Sequence, residues 1–174
     1  MGRRLPNVLV TGTPGTGKST LAKKVAQNVG MENIDTTSII KEREFYAEYD
    51  AQLDTHVLNE DALLDHLEER FGSDAGGLIL DYHCAEMFPK RWFDLVIVLR
   101  CATDSLFDRL TERGYSERKR RENLEAEIFG IIAEEANASY DESVVHELDN
   151  STAEQLEANV RTVTNLVGAH KQRK

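Results

Sequence analysis

Cysteine is nearly missing from this 174-residue sequence, and the two that occur, Cys84 and Cys101, match neither a zinc-ligand spacing nor a disulfide framework. Buried reduced thiols are therefore expected, and no structural metal. Proline is also scarce, with three residues, and there is no proline-rich linker, low-complexity segment or internal repeat. No apolar run is long enough to span a membrane. The stretch behind Arg3 and Arg4 contains Pro6 and is too short for the core of a signal peptide, so a soluble intracellular chain with no membrane partner is expected. Positive charge is in deficit, with 21 Lys and Arg against 31 Asp and Glu for a net charge of -10. That balance excludes broad, strong binding to nucleic acid, which needs a positive surface to displace counterions.

The positive charge that is present is concentrated in Arg113, Arg118, Lys119, Arg120 and Arg121, and again in the tail Lys171, Arg173 and Lys174. The tail reads as a solvated end. The internal cluster fits either a solvated helix face or a phosphate clamp, and the rest of the sequence decides between them.

Gly12 to Ser19 read Gly-Thr-Pro-Gly-Thr-Gly-Lys-Ser, directly behind the apolar run Val8 to Val10. Glycines permit the backbone angles that aim successive N–H groups at phosphate oxygens, a lysine reaches the outer phosphates, and a serine hydroxyl is offered to magnesium. The next stretch has apolar residues at Leu21, Ala22, Val25, Ala26 and Val29, the spacing of a helix whose N-terminus faces the phosphates. The chain therefore handles a nucleoside triphosphate.

Further apolar runs suited to buried parallel strands occur at Leu78 to Leu80, Leu95 to Leu99 and Val144 to Leu148, with a weaker one near Ile34. Helical patterns alternate with them. The fold class is α/β, a P-loop NTPase with a doubly wound, five-stranded parallel sheet, in a single domain over residues 1–174. Ligands of such sheets bind beyond the carboxyl ends of the strands.

After the second strand stand Asp35, Thr36, Thr37 and Ser38, which suit a helix cap and a ligand contact equally well. Residues 42–58 are polar, tyrosine-bearing and weakly patterned, and read as a mobile excursion. The helix Asp61 to Phe71 is ordinary amphipathic packing. Asp81 ends the third strand where P-loop proteins hold magnesium. Two residues on, His83 faces the same way in strand geometry and is either a satisfied, partly buried histidine or a catalytic one. Arg91, in a connector with Pro89 and Trp92, fits a surface ion pair.

Beyond Leu99, Arg109 and Arg113 are spaced i, i+4 on one helical face, so that two planar guanidiniums converge on a polyphosphate. Gly114 interrupts that helix, and a long helix is expected from about residue 117 to 138. With the P-loop in hand, the basic segment is read as a clamp carried on a short lid.

Gly12 to Ser19, Leu80-Asp81-Tyr82-His83, Phe88-Pro89-Lys90-Arg91-Trp92-Phe93 and Thr111-Glu112-Arg113-Gly114-Tyr115, in that order, resemble the adenylate kinase isoenzyme 6 family, the nuclear, coilin-interacting adenylate kinases and ATPases. The resemblance implies that Gly15, Thr16, Gly17, Lys18, Ser19, Thr20, Arg109 and Arg113 bind ATP, and that residues 35–58 form the monophosphate-binding excursion and 112–122 the lid. It implies AMP binding by Asp35, Lys41 and His83, catalytic roles for Lys18, Asp81, His83 and Arg113, and Mg2+ at Ser19 and Asp81. The implied activity is transfer of the γ-phosphoryl group of ATP to AMP, with dAMP and CMP as further acceptors, beside a slower ATPase. A monomer, residence in nucleus and cytoplasm, and a role in small ribosomal subunit maturation through a ribosomal protein and the pre-ribosome are implied as well.

Two positions depart from the family pattern. Lys41 stands where arginine is usual, keeping the charge but losing the bidentate fork. Cys84-Ala85-Glu86 follows His83 where a small residue and an aspartate are usual. Two further functions stay open on the same site: an ATP-switched assembly factor with little kinase activity, and a small-metabolite kinase.

Overall fold

Strands buried on both faces need helices on both sides, and the chain supplies them in alternation. The computed structural model describes residues 2–53 and 55–172, with side chains as far as residue 170. Arg173 and Lys174 of the basic tail, and the Lys171 side chain, lie outside the described residues. Strands β1 (Val8–Gly12), β2 (Glu32–Asp35), β5 (Leu78–Asp81), β6 (Leu95–Arg100) and β7 (Val145–Asp149) form a five-stranded sheet in the order β2-β5-β1-β6-β7, parallel throughout. Helices α1 (Lys18–Val29), α2 (Thr36–Arg43), α3 (Glu60–Phe71), α4 (Thr103–Glu112), α5 (Glu117–Ile128), α6 (Ile131–Ser139) and α7 (Ala153–Gln172) connect or follow the strands.

Because successive side chains of a strand point to opposite faces, the sheet feeds two cores. Leu9, Leu80, Val96 and Val98 pack with Leu63, Leu67 and Phe71 of α3, Ala133 and Ala136 of α6, and Trp92. Val8, Val10, Ile79, Ile97 and Leu99 pack against Leu21, Ala22 and Val25 of α1 and Val160, Val163 and Val167 of α7. Trp92 is fully buried, stacks on Phe71 at 5.3 Å between ring centroids, and donates its indole N–H to Glu68 at 2.8 Å. A smaller cluster of Cys101, Leu106 and Leu110 seats α4 against Leu124 of α5.

β1 lies at the centre, with β5 on one side and β6 on the other. The chain reverses its direction across the sheet there, which opens a crevice beyond the carboxyl ends of the strands.

Two expectations are corrected, and the form of a third segment is added. Residues 42–58, read as a polar excursion, contain an antiparallel hairpin of β3 (Tyr46–Asp50) and β4 (Thr55–Leu58), with an irregularity between Tyr46 and Glu48. Most of its residues are exposed, so no apolar alternation announced it. The helix expected over 117–138 is two helices, broken where Gly130 takes a left-handed φ of 65° that a side chain disfavours. Cys101 is buried, but Cys84 is only half-buried, because it stands past the end of β5.

Leu67→Ala, at a fully buried position, removes methyl groups from beneath Trp92 and Phe71. It should cost about 2–5 kcal/mol of stability, read as a lower urea midpoint with unchanged slope in the fluorescence of Trp92, the sole tryptophan.

Candidate active site

The loop from β1 to α1 has its acceptor side occupied from behind. The Thr13 carbonyl accepts from the Thr16 hydroxyl at 2.8 Å and from Lys18 Nζ at 3.2 Å. The Gly15 carbonyl accepts from Arg109 Nη1 at 3.2 Å, and the Thr16 carbonyl accepts from buried Asn150 Nδ2 at 2.7 Å. Asn150 is itself held by Asn159, whose amide donates to its Oδ1 at 3.1 Å. Gly17 enters α1 at a φ of 94°, and a Cβ there would lie 2.5 Å from Asn150 Nδ2. The glycine is required both by conformation and by the close approach of the asparagine.

At the head of α1, Ser19 donates its hydroxyl to Asp81 Oδ2 at 2.8 Å. Asp81 is 4% exposed, and its Oδ1 has no partner among the described residues. Burial, reinforced by the charge of Asp35, raises its pKa above the usual carboxylate value. An unpartnered buried carboxylate oxygen beside a serine hydroxyl is the hard-oxygen donor set that suits Mg2+.

Lys18 is pushed down to about 8, first by burial and then by the Arg113 guanidinium, against the opposing pull of Asp81 and Glu127. Burial and the Lys18 charge also lower His83. Both favour the neutral imidazole, whose ring centroid lies 4.3 Å from that of Tyr82.

These groups line a cavity of about 740 Å³ together with Thr37, Ile40 and Lys41 of α2, Tyr46, Thr55, His56 and Leu58 of the hairpin, and Arg113, Tyr115, Lys119 and Asn123 between the end of α4 and α5. Among the described residues, four cations, Lys18, Lys41, Arg113 and Lys119, and one carboxylate, Asp81, line it. A polyanion is the ligand such a lining attracts, although the whole chain is acidic. Another cavity, of about 420 Å³, adjoins the loop, lined by Gly15, Gly17, Thr20, Arg109, Arg113 and Asn150 among others. Gly15, Gly17 and Arg113 border both.

Of the residues singled out in the sequence, Gly15, Gly17, Lys18, Ser19, Asp81, His83, Lys41 and Arg113 meet at the first cavity, and Thr20 and Arg109 at the second. Thr16 is buried beneath the loop. Asp35 is not among the lining residues: it caps α2, accepting from the Ser38 N–H at 3.0 Å and its hydroxyl at 2.8 Å. The basic cluster divides. Arg118 pairs with Glu122 and Arg121 with Glu125, Arg120 lies over the Phe107 ring, and only Arg113 and Lys119 of the five line the cavity. Arg91 forms the expected surface ion pair, with Glu68.

Sequence reading missed Asn150, Glu127, Tyr46 and His56. Asn150 directly follows β7, so inspection of every strand terminus would have found it. Glu127 resembles any charged residue of a polar helix, and nothing local marks it.

Residues 8–130 match the family model described as AAA domain. The chain is 52% identical over 169 residues to a Caenorhabditis elegans protein named adenylate kinase isoenzyme 6 homolog, covering 97% of this chain and 93% of the relative. It is 43% identical over 160 residues to a Drosophila melanogaster protein of the same name, covering 92% and 90%. In fold it is similar to the shikimate kinase of Bacteroides thetaiotaomicron, with a TM-score of 0.63 at 19% identity over 93% of this chain and 98% of that one.

A bound polyphosphate favours the charged form of Lys18, so binding near pH 8 should take up protons and affinity should fall as pH rises from 7 to 9. The fall is about tenfold per unit above the free pKa. Calorimetry in buffers of different ionisation enthalpy measures the uptake, and Lys18→Ala should abolish it.

Proposed function

The chain belongs to the adenylate kinase isoenzyme 6 family, and from that premise we propose that it transfers the γ-phosphoryl group of ATP to AMP, with dAMP and CMP as further acceptors, and hydrolyses ATP more slowly. The observation that carries this reading is the shape of the larger cavity. It runs from Lys18 and Asp81 to Lys41, Tyr46 and His56, leaving room for a second substrate where an ATPase needs room only for water.

In this reading the triphosphate lies along the loop, with its nucleoside in the smaller cavity beside Arg109 and its outer phosphates toward Lys18. Gly15, Thr16, Gly17, Ser19 and Thr20 supply the cradle. Ser19 and Asp81 would hold Mg2+, which when bound would offset the negative charge of the phosphates. Arg113, bordering both cavities, stabilises the phosphoryl group as its bond to the ADP oxygen breaks and a bond to an AMP phosphate oxygen forms. Lys41 and His83 hold the acceptor, and Asp35 acts through the helix that carries Lys41. The acceptor phosphate is anionic and needs no base. When water replaces it, the neutral His83 imidazole accepts the proton.

A second reading is an ATP-switched factor in small ribosomal subunit maturation, monomeric and resident in nucleus and cytoplasm, with a basic ribosomal protein as its partner. The exposed Ile128, Phe129 and Ile131, at 59%, 73% and 41%, favour a protein contact near the lid, and the net charge of -10 favours a basic one.

Purified chain with Mg2+, ATP and AMP should yield two ADP per AMP consumed, and Lys18→Ala should lower that rate by about a hundredfold or more. Lys41→Ala should raise KM for AMP about tenfold with little change in ATP hydrolysis. Phosphate release indifferent to AMP would overturn the kinase reading in favour of the switch.

A further inference from the structure

Helix α5 brings the lid residue Lys119, and Asn123 just beyond the lid, to the larger cavity, yet it has almost no apolar face. Among its residues only Glu127 is buried, at 5% exposure, while Leu124 packs partly against α4. The fixed point of the helix is therefore a carboxylate. Each of its oxygens is satisfied: Oε2 accepts from the Thr13 hydroxyl at 2.6 Å, and Oε1 accepts from Arg100 Nε at 2.8 Å and from the Cys101 N–H at 3.0 Å. Arg100 Nη2 also donates to the Glu127 carbonyl at 2.9 Å. Just beyond it the helix ends at Ile128, capped by Phe129, and Gly130 turns the chain.

Thr13 belongs to the P-loop, and its carbonyl accepts from Lys18 Nζ. Two hydrogen bonds on different atoms of Thr13, its carbonyl and its hydroxyl, thus join the Lys18 ammonium to the root of the lid helix through this one residue. Resting on the reading of the loop as an ATP site, we propose that Glu127 is a positioning residue that couples occupancy of the P-loop to the tilt of α5. A phosphate competes with the Thr13 carbonyl for the Lys18 ammonium. Thr13 readjusts, and its hydroxyl carries the change to Glu127. Lys119 lies two helical turns away, about 12 Å at 1.5 Å per residue, so a tilt of about 10° at Glu127 moves it by about 2 Å. That is enough to make or break a phosphate contact. By linkage, a closed lid tightens the loop in return.

The test is hydrogen exchange over residues 117–128 of the full chain, with Mg2+ and a non-hydrolysable ATP analogue, occupancy being measured separately by calorimetry. In the unmodified chain saturating analogue should slow exchange of α5 by about tenfold. At equal occupancy Thr13→Val, which keeps shape but loses the hydroxyl, should lose most of that protection, and Thr13→Ser should restore it. Glu127→Gln keeps the volume and should weaken the effect, with no further loss when Thr13→Val is added. It also serves as the decisive variant if Thr13→Val does not fold, as judged by Trp92 fluorescence. Full protection of α5 in Thr13→Val or Glu127→Gln at saturation overturns the coupling while leaving the ATP site intact. Failure of the analogue to bind the unmodified chain overturns the ATP site, and the coupling with it.

Discussion

A phosphate-binding loop can offer its N–H groups to a ligand only if its carbonyls and hydroxyls are satisfied elsewhere, since buried backbone groups left unpaired are costly. In this chain the elements around the loop meet that condition. Asn150 arrives from the end of β7, Arg109 from α4 and Glu127 from α5, each ending on an atom of the segment between Gly12 and Ser19. The sheet sets the distances. β1 is fully buried between β5 and β6, so the loop leaves the centre of the fold at a fixed height, while α4 and Asn150 follow β6 and β7, whose parallel register fixes where they begin.

The electrostatics follow from the same burial. Desolvation pulls Lys18 down, pulls His83 down and pushes Asp81 up, in each case toward the neutral form. A polyanion with its counter-cation reverses that pressure: the phosphates favour a charged Lys18, and a cation beside Ser19 favours a charged Asp81. The site is thus poised to gain charge as it fills, in a chain whose overall negative charge would otherwise repel phosphate.

The two segments flanking the cavity are built differently from the rest. The hairpin β3–β4 exposes most of its residues, and α5 buries only a carboxylate. Thin apolar packing leaves small free-energy differences between positions, which is the physical condition for segments that move over a ligand. The stacked Tyr46 and His56 rings, 4.4 Å apart, and the Lys119 ammonium 4.3 Å from the Tyr115 ring give these segments local order, while only a few partly buried side chains, Tyr46 and Leu58 of the hairpin and Tyr115 and Leu124 around α5, hold them to the core.

By itself the sequence determined the loop, the strands, the helix behind the loop and the place of Asp81 at a strand end, because each is a local pattern. Glycine spacing, apolar runs and helical periodicity all act over a few residues. Only the tertiary structure decided which of the clustered basic residues face the cavity, that Asp35 serves as a cap, that the polar excursion folds as a hairpin, and that one helix becomes two. It alone brought Asn150 to Thr16 across 134 positions and Glu127 to Thr13 across 114. Such pairs leave no periodic trace, since a single polar side chain contributes nothing to an apolar pattern. They become visible only when the register of the parallel sheet carries distant strand ends to the same edge.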